Sequence, residues 1–363
     1  MKEKLIIKNF GPIKSVNLDL GKITVLIGEQ ATGKSTIAKV LSICRYFSYI
    51  VNYAVDIDKQ NEFHNNEQFL KGLRDWGIYG YLQENSTIFY KNELYTFEFN
   101  IKSFEKDAVE MLPKNGKFLN FQTKIISNSK KFTKLLEELQ SLKNDELSSE
   151  NDKKDSFKVD WTPNENFYRL NVKKVMNNPL FIPAERGFQT KSFGREYLLS
   201  EAILDELSKI VRVVTRYEET RIDLLGLDFK NINGISYIKK ISETNFYPLH
   251  EAASGYHSAI PIILTVNHFS EIEKRQRTFI IEEPEQNLFP KTQKKLVEFM
   301  VESVNKFDNQ FILPTHSPYI LTSLENLMYA YILGNAKNGK LREKVSNIIN
   351  EKYWINPEDI NAY

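Results

Sequence analysis

One cysteine, Cys44, is all that the 363 residues contain, which excludes an intramolecular disulfide or a cysteine-clustered metal site and suits a reducing compartment. Long apolar runs are missing too. A run such as Ala259 to Leu264 falls far short of the roughly 20 residues that span a bilayer, so no membrane role is expected. The opening Met1-Lys2-Glu3-Lys4 has nothing of the apolar segment of a secretory signal. Charge of one sign is also lacking: 49 Lys and Arg against 47 Asp and Glu leave +2, which neither requires nor excludes nucleic acid. Basic clusters at Lys274-Arg275-Gln276-Arg277 and from Lys291 to Lys295 read as solvated faces. No internal repeat is evident. With 41% hydrophobic and 26% charged residues, the expectation is a cytoplasmic globular chain holding one large or two modest domains.

What is present is concentrated in a few stretches. The β-branched run Ile23 to Ile27 has the composition of a buried strand and leads directly into Gly28, Glu29, Gln30, Ala31, Thr32, Gly33, Lys34, Ser35 and Thr36. This is the phosphate-loop spacing. Glycines let the backbone curl so that successive N–H groups point inward at the start of the next helix, an anion nest. In that pattern Lys34 reaches the β- and γ-phosphates of a nucleotide, Ser35 places its hydroxyl on Mg2+, and Thr36 adds one near the α-phosphate. A ligand-free glycine loop would not require a strand before it and a helix after it.

In chain order, Leu5 to Phe10 and Val16 to Leu20 read as strands turned by Gly11-Pro12, and the helix opened by Lys34 continues through Ile37, Val40, Leu41 and Cys44. Residues 46–172 change character and read as an insertion, with a hairpin or meander over Ile88 to Tyr90 and Leu94 to Ile101. Phe132, Leu135, Leu136, Leu139 and Leu142 give an amphipathic helix over about residues 129–148, followed by a loop from Ser148 to Ser156. A recognition arm and a spacer remain equally open for this region. Strand character returns at Pro179 to Ile182, running into Pro183-Ala184-Glu185-Arg186-Gly187. A second amphipathic helix carries Leu199, Ile203, Leu207, Ile210 and Val214, and Ile235 to Ile238 reads as a strand.

Ala252-Ala253-Ser254-Gly255 then stands before an apolar helix from about Tyr256 to Phe269 that Pro261 would bend. Alone, Ser-Gly there is an ordinary cap. The buried strand Thr278 to Ile281 ends in Glu282-Glu283-Pro284-Glu285, and a strand tip is where a phosphate-loop protein needs one acid for the Mg2+ shell and another beside the attacking water. Pro290 opens a helix with Leu296, Val297, Met300 and Val304 on one face. A last strand, Gln310 to Leu313, ends at Pro314-Thr315-His316-Ser317-Pro318, where α/β sheets present functional loops.

Phosphate loop, long insertion, Ser-Gly helix start, Glu-Glu-Pro-Glu strand and Thr-His-Ser-Pro strand occur in one order. That order resembles the ABC-type ATPase heads of the SMC, RecF and OLD proteins, particularly the bacterial AAA-labelled ATPases grouped with OLD. Ile7-Lys8-Asn9-Phe10-Gly11-Pro12-Ile13 looks like that group's first strand. The resemblance implies an α/β P-loop NTPase with an ABC-type (SMC/RecF-like) head, a mixed central sheet flanked by helices, and an α+β insertion. Its boundaries would be 1–45 and 173–335 for the head, 46–172 for the insertion and 336–363 for a C-terminal tail.

By the same resemblance, Gly28 to Thr36 is the Walker A loop and Phe279 to Glu283 the Walker B strand. Glu282 takes the Mg2+ side, Glu283 polarises the hydrolytic water, and His316 is the switch histidine at the γ-phosphate. Ser254 and Gly255 match the signature motif, which in such heads binds the γ-phosphate of the partner subunit's ATP. ATP and Mg2+ are then the cofactors, and heads pair through ATP as a homodimer or higher oligomer. Departures stand beside these matches. Gly255 is followed by Tyr256-His257 where Gly-Gln is usual, Glu285 to Pro290 lacks the histidines common in OLD-like heads, and no Q-loop glutamine follows Ile182. Glu185 or Arg186 could act in its place, and slow or partner-dependent hydrolysis is expected. OLD nucleases append an acidic Toprim domain, whereas little chain follows residue 330, so a nuclease or toxin activity would come from a separate effector. Nucleic acid is possible as a partner and an antiphage or DNA-related output is suggested by analogy. A nucleotide-gated scaffold and a transporter ATPase subunit remain alternatives.

Overall fold

The computed structural model describes residues 3–45, 67–102, 112–114, 117–128, 130, 179–186, 199–274, 276–336 and 339–363. The expected helix over 129–148 and the loop after it lie outside the described residues, as does Arg275. The strands in chain order are β1 (Glu3–Phe10), β2 (Ile13–Leu20), β3 (Ile23–Ile27), β4 (Leu82–Lys91), β5 (Tyr95–Lys102), β6 (Leu112–Lys114) and β7 (Lys117–Ser127). They continue as β8 (Leu180–Ile182), β9 (Glu219–Ile222), β10 (Leu227–Ile232), β11 (Ile235–Lys240), β12 (Tyr247–Pro248), β13 (Thr278–Ile281), β14 (Gln310–Thr315) and β15 (Ile360–Ala362). Contacts divide the chain into two units, residues 1–20 with 39–178 and residues 21–38 with 179–363.

The first unit is built on an antiparallel sheet of order β2-β1-β4-β5-β7-β6. Alternation explains its buried face: Leu5 and Ile7 on β1, Ile88 and Tyr90 on β4, and Phe97 and Phe99 on β5 are all buried, two residues apart on each strand. Phe69, on the helix Glu67–Asp75, packs between the rings of Phe97 and Phe99 at 4.9 and 4.8 Å. Inside this unit Arg45 donates to Glu3, with the Nε–Oε1 bond at 2.6 Å, and Tyr90 donates its hydroxyl to the same carboxylate at 2.5 Å. Burial pushes the Cys44 thiol far up, so the lone cysteine is an inert core residue.

The second unit holds the five-stranded sheet β15-β3-β14-β13-β8, in which every pairing is parallel. β3, β13 and β14 are buried along nearly their whole lengths, which is why they read as continuous apolar runs rather than alternating ones. Against this sheet stand helices Glu201–Val214, Ser254–Asn267, Pro290–Phe307 and Pro318–Gly334, with Leu296, Val297, Met300 and Val304 all buried as their spacing requires. A separate antiparallel sheet, β12-β11-β10-β9, completes the unit.

Three features differ from the sequence reading. The α/β architecture with a helix-flanked sheet is as expected, but among the described residues every pairing of the phosphate-loop sheet is parallel, and the opening hairpin pairs with β4 instead. For the same reason residues 1–20 fall with the insertion strands and not with residues 21–38. The residues expected as a C-terminal tail end in a strand of this sheet. β15 lies parallel to β3, with Ile27 N–H donating to Tyr363 O and Tyr363 N–H to Val25 O at 2.9 and 3.0 Å.

Candidate nucleotide site

Parallel strands that end on one edge of a sheet bring their following loops together. Here β3, β14 and β13 are consecutive neighbours, and their ends carry Gly28, His316 and Glu282-Glu283. After β3 the loop turns back through left-handed backbone at Ala31 and Gly33, φ 61° and 98°. Glycine supplies the second of these without strain. Thr32 Oγ1 donates to Glu29 O at 2.9 Å, and Ile37 N–H closes on Gly33 O at 2.8 Å as the helix Lys34–Arg45 begins. Glu29, Gln30, Ala31, Thr32 and Ser35 face solvent, while Lys34 and Thr36 are buried.

Lys34 folds over its own loop. Its Nζ donates to Gly28 O at 2.8 Å and Glu29 O at 2.6 Å. Burial lowers its pKa, and the nearby Glu283 and Glu285 carboxylates pull the other way. His316 Nδ1 lies 2.8 Å from Gly28 O. A carbonyl only accepts, so Nδ1 carries the proton in that contact. The 3.4 Å approach of Lys34 Nζ to Nδ1 is then proximity between two donors. The other ring nitrogen, Nε2, faces Glu283 Oε1 at 3.6 Å.

Glu282 is buried at the end of β13, its N–H bonded to Ile182 O at 3.0 Å. Glu283 follows in left-handed backbone, φ 43°, an uncommon conformation for a residue with a side chain. Its N–H donates to Pro314 O at 2.8 Å, and its half-buried carboxylate reaches the His316 ring. Thus Lys34, Glu283 and His316 are brought together around Gly28. Ser254 and Gly255 are not. They open the helix Ser254–Asn267 at a separate cavity of about 460 Å3 lined also by Asn287, Phe289, Lys291 and Lys295. Among the described residues no hydrogen bond or ion pair joins Ser254 or Gly255 to the Lys34 cluster.

Two residues matter more than the sequence reading allowed. Glu285 Oε1 accepts the His316 N–H at 2.7 Å, and its Oε2 is buried without a hydrogen-bond partner among the described residues. The signal was the acidic residue at the end of Glu-Pro-Glu. Arg186, considered above as a stand-in for the Q-loop glutamine, is instead completely buried, its guanidinium bonded to backbone carbonyls. Burial lowers its pKa to about 10 against the pull of Glu285, Glu283, Glu282 and Glu185.

For a metal, the available donors are oxygens, the Ser35 hydroxyl and the Glu282 carboxylate. Among the described residues no group of three or more His, Cys, Asp or Glu could hold a metal ion. Such a donor set fits Mg2+, which keeps waters and binds through one or two protein oxygens plus phosphate. Among the described residues no helix is long and apolar enough to cross a membrane.

A phosphate loop at the edge of a parallel sheet, with strand-end carboxylates beside it, defines a P-loop NTPase. The chain belongs to the AAA ATPase domain family, whose family model matches residues 1–321. Among solved structures it is similar to the SMC head domain from Thermotoga maritima, at 12% identity and TM-score 0.41, covering 89% of this chain and 92% of that one. It is also similar to an Smc head bound to the C-winged helix domain of ScpA, at 10% identity and TM-score 0.45 over 88% and 90%. An Smc head with an extended coiled coil bound to the C-terminal domain of ScpA from Pyrococcus furiosus gives 13% identity and TM-score 0.39 over 88% and 90%. No curated protein matches.

Proposed function

We propose that the chain is an ATP-hydrolysing switch whose heads pair around ATP, each chain supplying half of two composite sites. The observation that carries this is the separation of parts: Lys34, Glu283 and His316 converge at Gly28, while Ser254 and Gly255 open a different cavity with no bond to that cluster. In this reading the loop amides and Lys34 hold the β- and γ-phosphates, and Glu283 takes the proton of the attacking water. His316, held through Nδ1 on Gly28 O and through its N–H on Glu285, presents Nε2 toward the γ-phosphate. Ser35 and Glu282 would hold Mg2+, which when bound would supply positive charge against the phosphates. Ser254 and Gly255 meet the γ-phosphate of a second copy's ATP, so nucleotide joins the heads and hydrolysis releases them.

OLD-like kinship, an output in DNA transactions or antiphage defence, a separate nuclease or toxin effector, and nucleic acid as a possible partner extend this reading by resemblance. A shared site requires two chains. Phosphate release per chain should therefore rise with protein concentration and level off once dimers dominate. Constant specific activity from high dilution upward would contradict the pairing. One observation favours a second reading, a nucleotide-gated scaffold with little turnover: Arg186, the candidate for the absent glutamine, is turned into the core. That scaffold would bind ATP and release no phosphate at any concentration.

A further inference from the structure

The geometry points to Arg186 as a positioning residue that clamps the Ser254–Asn267 helix to the Glu282–Glu283 backbone, so that the γ-phosphate contact at Ser254 and the water-activating carboxylate move as one body. The inference rests on the shared-site reading above and gives it a physical connection.

One guanidinium reaches both elements. Arg186 Nε donates to Ser258 O, in the second turn of the helix that Ser254 begins, at 2.9 Å. Its Nη1 donates to Glu282 O at 2.7 Å and to Pro183 O at 3.1 Å, and its Nη2 to Glu283 O at 2.7 Å. The fork geometry of Arg makes this possible, since a lysine ammonium is a point donor without the span. Glu283 is the residue whose backbone needs such support, with φ at 43°. Strained conformations persist where their surroundings over-determine them, and they cluster at functional sites. Here Pro314 O takes the Glu283 N–H and Arg186 takes its carbonyl, fixing the peptide on both sides.

A second bridge runs between the same two elements. Asn287, itself at φ 59°, donates its side-chain amide to Ser258 Oγ at 3.2 Å. Gly255 approaches so closely that a Cβ there would stand 2.9 Å from Asn287 O. The helix and the loop after β13 are thus locked at the first turn by backbone contact, and at the second turn by Arg186 and Asn287. Ser258 receives both.

The test compares Arg186→Lys, which keeps the charge and loses the fork, with the parent protein. Expected is ATP affinity and KM within about twofold of the parent and kcat lower by about a hundredfold, the scale of a displaced catalytic group. In nucleotide-free protein, amide exchange should rise together at residues 254–260 and 282–287 and stay unchanged in the helix after the phosphate loop. A kcat loss under about threefold, parallel loss of affinity and kcat, or faster exchange confined to one of the two segments would overturn the clamp. If Arg186→Lys does not fold, Asn287→Ala at the exposed end of the same junction decides. A kcat drop of about tenfold at unchanged affinity supports the clamp, and an unchanged kcat overturns it. Absence of phosphate release from the parent would count against the hydrolytic reading alone, because the exchange measurement still decides the clamp.

Discussion

The Lys34 cluster and the start of the Ser254 helix are built in opposite ways. At the first, residues distant in sequence are tied to one another, with Lys34, His316 and Glu283 bonded or facing around Gly28. At the second, Ser254 is exposed, and the helix N-cap Ala253 makes no side-chain cap bond. The cluster already has partners within its own chain. Tyr256 N–H in its first turn closes on Ala253 O at 3.0 Å, and among the described residues no side chain caps the Ser254 or Gly255 N–H, donors of the kind that bind anions. In the proposed shared site, the Lys34 side is pre-set within one chain and the Ser254 side is completed by a second copy's nucleotide.

The comparison can be broken most forcefully at Glu283. Glu283→Gln should lower phosphate release by about a thousandfold, within the range for a lost general base, while leaving ATP affinity near the parent's. Equal loss of binding in a nucleotide-binding titration would show that Glu283 serves the loop rather than the water. Lys34→Ala comes next. Removing charge-assisted bonds to two phosphates should weaken ATP binding by about a hundredfold, and retained affinity would remove the phosphate loop from the account. Ser254→Arg sharpens the opposite side: ATP binding by the single chain should be unchanged, while ATP-driven self-association measured by sedimentation weakens by about thirtyfold, as for loss of an interface hot spot. Unaltered turnover in this variant would mean that the site is not shared.

Two smaller effects concern the scaffold under both regions. A Cβ at Gly334 would run into the Trp354 ring, so Gly334→Ala should cost about 1–3 kcal/mol in denaturant unfolding and leave ATP affinity unchanged. His268 gives the smallest effect. Burial and the nearby Arg216 and Arg277 hold its pKa below the usual 6.5 despite Glu273, so the unfolded chain binds its proton more readily. Its contribution is therefore complete above pH 6.5 and is lost as pH falls below that value. Melting temperature should decline less steeply on acidification in His268→Gln than in the parent.

Much of the cluster was legible because its signals are local. Gly28, Gly33 and Lys34 sit at fixed spacing, and β13 and β14 announce themselves as apolar runs that stop at Glu282 and near His316. The illegible parts are long-range pairings. Nothing local tells β1 to pair with β4 across more than 70 residues, or Ile360–Ala362 to lie beside β3. Arg186 was visible as a residue worth naming, yet its burial depends on four carbonyls contributed by Pro183, Ser258, Glu282 and Glu283. Glu285 likewise gains its contact only when His316, just past the end of the neighbouring strand, places its N–H against it.

The most direct measurement is the solution mass of the Glu283→Gln protein with and without Mg·ATP, alongside steady-state phosphate release by the parent. The account predicts a nucleotide-free monomer that becomes a dimer when ATP is added and cannot be hydrolysed, together with turnover in the parent. A mass that ATP leaves unmoved, whether monomer or a standing oligomer, would contradict the claim that ATP completes the Ser254 side of the site.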